Sequence, residues 1–178
     1  NGTIDSGTVS TVNNGTTTAV AAPRWLNINL SSAGGSTILN SALGSTGALT
    51  NLSINATNTA LNGASLTTLG DQTYNGSITL GAGTTLLATD ASAVITTNGT
   101  VNSDGTARSL VLNASNTSGR VVVLSALGNT ADLASLTVNA SAIALNGSSV
   151  NTTGSQTFSG NITLGNTVTA RASGANAI

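Results

Sequence analysis

Few residues in this chain could do chemistry, and the missing types limit it most. The 178-residue sequence contains no His, Cys, Met, Lys or Glu. A serine triad, a thiol nucleophile, a Schiff-base lysine and a His- or Cys-ligated zinc site each require one of these side chains. We therefore predict that the protein is not an enzyme and that it binds no cofactor and no metal.

Charge is confined to nine side chains, so charged residues make up 5% of the sequence, against about a quarter in an average domain. A net charge of −1 and the lack of a basic face argue against nucleic acid or an anionic membrane as partner. Some enzymes that act on polysaccharides are β-helices, in which the chain winds into stacked coils, and they use Asp and Arg for catalysis. If this chain has that fold, Asp90 and Asp104 are the two acids that could meet on adjacent coils. The charged residues are Asp5, Asp71, Asp90, Asp104, Asp132, Arg24, Arg108, Arg120 and Arg171.

An internal repeat with a constant shift of 84 positions organises the sequence. Leu49–Gly81 recurs as Leu133–Gly165, and its last four residues, Ile-Thr-Leu-Gly, recur unchanged. With weaker matches outside this stretch, about two copies cover nearly the whole chain. A repeat at fixed period indicates a solenoid or another repeat array.

The repeat also sorts the candidate site residues. Asp71 and Asp132 align with neutral residues in the other copy, so we interpret the acids as isolated, exposed turn residues. Arg24 recurs as Arg108, and we expect this pair to hold a corner of the fold or to contact a partner. Trp25 has no counterpart and is a candidate edge cover or anchor for a neighbouring subunit.

Two aromatic residues occupy the same repeat position. Tyr74 follows Gln72, and Phe158 follows Gln156, at the same spacing. This recurrence favours a role in core or turn packing over stacking against a sugar.

Short segments of alternating apolar and polar residues predict half-buried strands throughout. The alternation starts at residues 26, 52, 78, 110, 136 and 162. We predict an all-β chain that forms a right-handed parallel β-helix (solenoid) of about six coils of 26–32 residues. Two tandem immunoglobulin-like β-sandwiches are the alternative, since the length of the long repeat suits one such domain. However, a sandwich does not explain why the alternation returns every 26–32 residues.

The sequence suggests two regions. Residues 1–25 read as a polar leader or an edge of the solenoid, with the only proline at Pro23, and residues 26–178 as the β-helix. The chain starts without Met, which we interpret as a mature piece or a fragment. Neither end resembles the polar cap that a solenoid requires. We therefore expect the ends to stack on copies of the same chain or on the rest of a longer repeat chain.

In Leu133–Gly165 the repeated motif contains Ala-Leu-Asn-Gly, Gly-x-Gln-Thr-aromatic and Ile-Thr-Leu-Gly. This motif resembles the repeats of filamentous-haemagglutinin-like proteins. The resemblance covers residues 26–170. It implies a large exported β-helix protein of a Gram-negative bacterium, of the two-partner secretion or autotransporter type. It also implies display at the cell surface or secretion, and roles in adhesion or biofilm matrix, with a host glycan or matrix surface as partner.

Two further motifs suggest less specific functions. Asn-x-Ser/Thr triplets at Asn51, Asn55 and Asn139 are candidate glycosylation sites, although a chain rich in these residues produces such triplets by accident. Thr pairs such as Thr67-Thr68 and Thr96-Thr97 suggest ice binding, but uneven coil lengths argue against a flat face. We expect a non-catalytic adhesive stalk, or alternatively a self-assembling subunit of an extracellular fibre or surface layer.

Overall fold

A computed structural model describes residues 2–5, 10–12, 25–30, 34–45 and 47–175, and within these ranges the chain is all β, without a helix. The strands are short, and most alternate buried and half-exposed residues, as the period-2 pattern predicts. They are β1 (Gly2–Asp5), β2 (Ser10–Val12), β3 (Leu26–Leu30), β4 (Ser36–Leu39), β5 (Leu52–Leu61), β6 (Ser65–Thr68), β7 (Gln72–Leu80), β8 (Thr84–Ala88), β9 (Val94–Thr97), β10 (Val101–Ser103), β11 (Ser109–Ala114), β12 (Arg120–Val123), β13 (Ser135–Leu145), β14 (Ser149–Thr152), β15 (Gln156–Leu164) and β16 (Thr169–Ala172).

Between β3 and β15 the chain winds into a right-handed parallel β-helix of about six turns, which confirms the predicted fold class. Strand pairs between the described residues are parallel throughout, and each joins one coil to the next. The immunoglobulin-like alternative is wrong, because sandwiches of that kind are built from antiparallel strands. As far as the fold goes, the chain is consistent with the β-helix repeat proteins that its sequence resembles.

The described coils stack into three ladders, to which each contributes a strand, part of a strand or an isolated bridge. The first ladder contains β1, β3, residues 52–55, residues 72–75, β9, β12, residues 142–145 and residues 161–164. The second contains β2, β4, residues 58–61, residues 77–80, β10, Leu127, β14 and β16. The third contains Leu43, β6, β8, β11, residues 135–140 and residues 156–159.

Most coils are shorter than the sequence pattern predicts. The length of a coil is the number of residues between register partners on successive coils. In the first ladder the separation of Leu26 from Leu52 is not exceeded by any other, and several coils, such as that from Leu52 to Gln72, are clearly shorter. Ile78 does not lie over Leu52, because it belongs to the second ladder and pairs with Thr59. The prediction of coil length was wrong because β5, β7, β13 and β15 each serve two ladders, so alternation alone does not mark where a coil begins.

Glycine makes these double-length strands possible. Between β5 and β7 the register shifts by one residue, so that Ala56 and Thr57 lie opposite Gly76 alone. Gly76 has φ +143°, and a Cβ there would lie 1.8 Å from the carbonyl oxygen of Ala56. Only glycine therefore fits this β-bulge, which turns the chain from the first ladder into the second. Gly160 repeats the bulge between β13 and β15.

The long repeat does not equal a whole number of coils. Leu52 lies in the first ladder, whereas its equivalent Leu136 lies in the third, after three turns and two thirds of the next. The two copies are therefore related by a translation along the axis and a rotation by one ladder. A surface feature that recurs with the repeat appears on a different side of the solenoid each time.

The core is a continuous aliphatic column. Inward positions stack in register, as in Leu110, Leu136 and their neighbours Leu112 and Val138, which are all buried. The described parts of residues 1–25 extend two ladders, since β1 pairs with β3 and β2 with β4. Among the described residues there is no helix of the length and apolarity needed to cross a membrane.

Candidate contact surfaces

A buried glutamine links the third ladder to the first. Gln72 is fully buried, and its Nε2 donates hydrogen bonds to the carbonyl oxygens of Leu66 (3.1 Å) and Leu87 (2.8 Å) and to the Thr68 hydroxyl (3.2 Å). The Tyr74 hydroxyl donates to Gln72 Oε1 at 2.9 Å. Burial raises the pKa of the Tyr74 hydroxyl well above its ordinary value. The recurring aromatic thus lies in the core, as predicted for Tyr74.

The second copy reproduces this arrangement at the end of the described solenoid. Gln156 Nε2 donates to the carbonyl oxygens of Val150 (3.0 Å) and Arg171 (2.9 Å) and to the Thr152 hydroxyl (3.2 Å). Phe158 supplies no hydroxyl and is only partly buried against the core. The hydrogen bonds from the glutamine side chain are therefore common to both copies, whereas the hydrogen bond from the tyrosine hydroxyl to the glutamine occurs in the first copy alone.

Four charged residues lie together where the second ladder passes into the third. Arg108 forms an ion pair with Asp104 through two hydrogen bonds of 3.0 Å, and Arg171 lies 3.7 Å from Asp132. The Ser103 hydroxyl connects the two coils, because it accepts from the Arg108 amide and donates to the Asp132 carbonyl. The hydrogen bonds from Arg108 lower the pKa of Asp104, and Asp104 raises the pKa of Arg108.

The two predicted contact residues that the structure describes, Trp25 and Arg108, lie in different ladders and different coils. Trp25 is 39% exposed and lies just before β3 in the first ladder. Arg108 lies before β11 in the third ladder, three coils further on, and its partner Asp104 gives it a role in a turn. Arg24 lies outside the described residues.

The predicted acidic pair is also separated. The Asp90 amide donates to the carbonyl of Leu69, where the chain leaves the third ladder. The Asp104 amide donates to the carbonyl of Leu80, where the chain leaves the second. The two carboxylates thus lie on different corners of the solenoid, and no group of three or more potential metal ligands occurs in the described part of the chain.

Asparagines form a ladder along the corner between the first and second ladders. Asn55 Nδ2 donates to Asn29 Oδ1 at 2.9 Å, Asn55 pairs in register with Asn75, and Asn98 donates to Asn75 Oδ1. Such stacks satisfy side-chain amides between coils. The Asn55 amide is therefore engaged in the fold.

The other candidate glycosylation residues differ in exposure. Asn139 is half-buried and lies in register between Asn113 and Ser159. Asn51 is exposed, and only its Oδ1 is engaged, as acceptor from the Asp71 amide at 2.6 Å. Of the three triplets, the one at Asn51 has the most accessible side chain.

From β11 onward, the outward positions of the third ladder carry short neutral side chains. One column contains Ser109 and Ser135, whose hydroxyls lie 3.0 Å apart. A second contains Val111, Thr137 and Thr157, and a third contains Asn113, Asn139 and Ser159. The Thr pairs do not form a flat array, because one member of each points inward; Thr68, Thr97 and Thr152 are all buried.

In the last described coil, side chains that point toward the axis are exposed, because no further coil lies over them. Ile162 and Leu164 are 47% and 57% exposed, although they are the register partners of the buried Ile143 and Leu145. The equivalent residues of the first copy, Ile78 and Leu80, are 2% and 0% exposed because β10 lies over them. β16 is exposed at every residue. The result is an apolar surface with a free strand edge.

Sequence reasoning predicted ends that need a cover, but it identified neither the residues that form this uncovered surface nor the second ion pair. The uncovered coil had a signal, since Ile162 and Leu164 repeat Ile78 and Leu80 without a following coil in the described chain to cover them. The pair of Asp132 with Arg171 had none, because it depends on coil lengths that the pattern misjudged.

The chain matches no protein-family model, no curated protein and no solved structure.

Proposed function

We propose that this chain is a structural and adhesive segment of an extracellular bacterial β-helical protein, and that it does no catalysis. The observation that carries the proposal is the combination of a continuous aliphatic column with outward columns of Ser, Thr and Asn. The column makes a stiff support, and the neutral hydroxyl and amide groups offer many weak hydrogen bonds without the cost of desolvating charge. The resemblance to filamentous-haemagglutinin-like repeats supports secretion or surface display.

The third ladder offers a regular face of mostly polar side chains. Ser135, Thr137 and Asn139 point outward from one strand, and β11 and β15 extend the same columns on either side. Adjacent rungs lie about 4.8 Å apart, and outward residues along a strand about 6.6–6.8 Å apart. This face has the spacing and chemistry to contact the hydroxyls of a glycan or the polar surface of a matrix protein.

A binding array of glycans and matrix proteins tests the proposal. The wild-type chain should bind at least one class of ligand, and Thr137→Lys with Thr157→Lys should reduce that binding at least tenfold, because two long cations then lie on the third ladder. The matched control is Thr73→Lys with Thr96→Lys, which places the same charges on the first ladder. Circular dichroism checks that both variants keep the fold.

The outcomes separate the parts of the proposal. Loss of binding in the control pair alone would move the contact face to the first ladder. No binding by the wild type across the panel would contradict adhesion, and release of reducing ends from any glycan would contradict the absence of catalysis.

A further inference from the structure

We propose that the outward face of β12 and its two neighbouring coils is a docking surface for an acidic segment of a partner protein, one that carries aliphatic side chains beside a carboxylate. This β12 face lies in the first ladder, and described coils continue the solenoid on both sides of it. The inference does not rest on adhesion through the third ladder. The face consists of Arg120, Val122 and Leu124, with Val94, Ala142 and Ala144 beside them.

The outward columns of the first ladder become aliphatic at β12. One column runs from Thr96 to Val122 and then to Ala144, which are register partners on three successive coils. In the next column, Val94 and Ala142 lie on either side of the first residue of β12. All five side chains are half-exposed. The face is therefore apolar across three coils, on a ladder whose earlier outward positions carry Ser, Thr and Asn.

Leu124 interrupts the asparagine ladder that follows the corner between the first and second ladders. Its amide donates to the Thr97 carbonyl, and the Asn146 amide donates to the Val123 carbonyl, so Leu124 lies between Asn98 and Asn146. The leucine side chain is 42% exposed. An asparagine at this position would extend the stack of amides, whereas leucine leaves apolar surface in water.

The repeat shows that the fold does not require these side chains. With the shift of 84 positions, Arg120 and Leu124 correspond to Ser36 and Asn40 of the first copy. Asn40 takes part in an amide stack there, because its Oδ1 accepts from Asn62. Since the same repeat positions accept serine and asparagine, contact with a partner accounts for the arginine and the leucine better than folding does.

Arg120 supplies the charge that the partner has to complement. It is exposed and has no ion pair within the described chain, whereas Arg108 and Arg171 each pair with an aspartate. Asp71 lies two rungs away in the same ladder, at about 9.6 Å, and one of its oxygens accepts from the Val94 amide at 2.8 Å. A free guanidinium of this kind binds a carboxylate through two parallel hydrogen bonds.

The shape of the surface favours a protein over a glycan as partner. Small ligands take concave sites, whereas this surface is the outward face of parallel strands. Protein interfaces combine an apolar centre with arginine and a polar rim, and Asn98 and Asn146 supply that rim. An extended segment projects alternate side chains to one side about 6.6–6.8 Å apart, which is the spacing of Arg120, Val122 and Leu124. The matching segment carries a carboxylate and two aliphatic side chains at alternate positions.

Titration of short peptides into the isotope-labelled chain, followed by NMR, tests the proposal. A peptide with Glu, Val and Leu at alternate positions, separated by Thr, should shift the backbone amide signals of β12 and Leu124. A second peptide with Lys in place of Glu should bind about threefold more weakly, because an exposed ion pair contributes little. A third with Ser in place of Val and Leu should bind at least about tenfold more weakly.

Variants of the chain assign the binding to the β12 face. Arg120→Glu should reverse the preference between the Glu and Lys peptides. Leu124→Asn, which introduces the residue of the first copy, should weaken binding of the Glu peptide about tenfold. The matched control is Leu87→Asn, the same exchange at a half-exposed outward leucine of β8, and it should bind like the wild type. The amide spectrum of each variant shows whether it is folded.

Three results would overturn the inference: no shift of the β12 amides with any peptide, equal affinity for the Glu and Lys peptides, or equal weakening by Leu124→Asn and Leu87→Asn. A uronic-acid oligosaccharide that shifts these amides when the peptides do not would make the partner an acidic glycan instead. A chain that binds the Glu peptide at β12 but nothing on the array of glycans and matrix proteins would support the β12 face and contradict only the adhesive function.

Discussion

The strands β7 and β15 are repeat equivalents that differ in what lies over them. Both begin with a glutamine that binds carbonyl oxygens of two other strands, both contain a bulge glycine, and both end in Ile-Thr-Leu. In β7 the final isoleucine and leucine are buried, and in β15 they are about half exposed. Local conformation therefore follows the repeat, whereas burial depends on the next coil. Mutations in matched pairs separate these two contributions.

The largest difference is expected at the last leucine of each strand. Leu80→Ala should lower the free energy of unfolding by about 2–5 kcal/mol, because a fully buried leucine leaves a cavity. Leu164→Ala should change it by about 1 kcal/mol or less, since the side chain is 57% exposed. Urea unfolding of both variants, at a concentration where the wild type is monomeric, measures the contrast. Equal losses would mean that the last coil is covered in solution.

The glutamines should show a smaller contrast. Gln72→Leu removes the donor to the Leu66 and Leu87 carbonyls and the acceptor for Tyr74, at about 1–3 kcal/mol for each buried group left without a bond. Gln156→Leu should cost less, because the Arg171 carbonyl lies in an exposed strand where water replaces the bond. The midpoint of thermal unfolding for each variant tests this order. A larger loss for Gln156→Leu would show that the end coil is not solvated.

Exchanging the aromatic residues isolates the tyrosine hydrogen bond. Tyr74→Phe should cost about 1 kcal/mol through loss of the bond to Gln72 Oε1. Phe158→Tyr should change stability by no more than about 0.5 kcal/mol, because its site is only partly buried. Chemical unfolding of the two single variants and the double variant gives the comparison. Equal effects of both changes would contradict the assigned difference in burial.

Alkaline pH should lower the free energy of unfolding through Tyr74, a residue of the first copy. Tyr74 is the only tyrosine in a chain without Lys, His or Cys, and burial raises its pKa in the folded state. Its contribution is fully present below about pH 10, where the unfolded side chain begins to ionise, and falls above that by about 1.4 kcal/mol per pH unit. The free energy of unfolding should be constant from pH 8 to about 10 and decline from there to pH 11 in the wild type, and it should stay flat throughout in Tyr74→Phe. A decline in both would assign it to another group.

Much of this architecture was predictable because a β-helix places its demands directly in the sequence. Inward aliphatic residues at period two, Asn and Gly at turns and the scarcity of charge all indicated stacked parallel strands, and the solenoid is confirmed. The coil boundaries were not predictable from the same pattern. β7, for example, contains the bulge glycine Gly76, so the alternation restarts at Ile78 within one strand and imitates a new coil.

The contact surfaces were less accessible to sequence reasoning. Arg108 was identified by recurrence, yet its partner Asp104 and the nearby pair of Asp132 with Arg171 come together only through the winding of the chain. Asp90 and Asp104 lie on different corners for the same reason. Positions around the axis depend on the sum of all earlier coil lengths, so a small error in each coil moves a residue to another ladder.

The sequence by itself determined the kind of structure: strands, inward columns, bulge glycines and the recurring glutamine, because each depends on residues close in the chain or on identical residues in stack. The tertiary structure alone decided how far the chain turns between copies, which places Leu52 and Leu136 in different ladders. It also decided that Ile162 and Leu164 are exposed where their equivalents are buried, because burial belongs to the neighbouring coil and not to the residue.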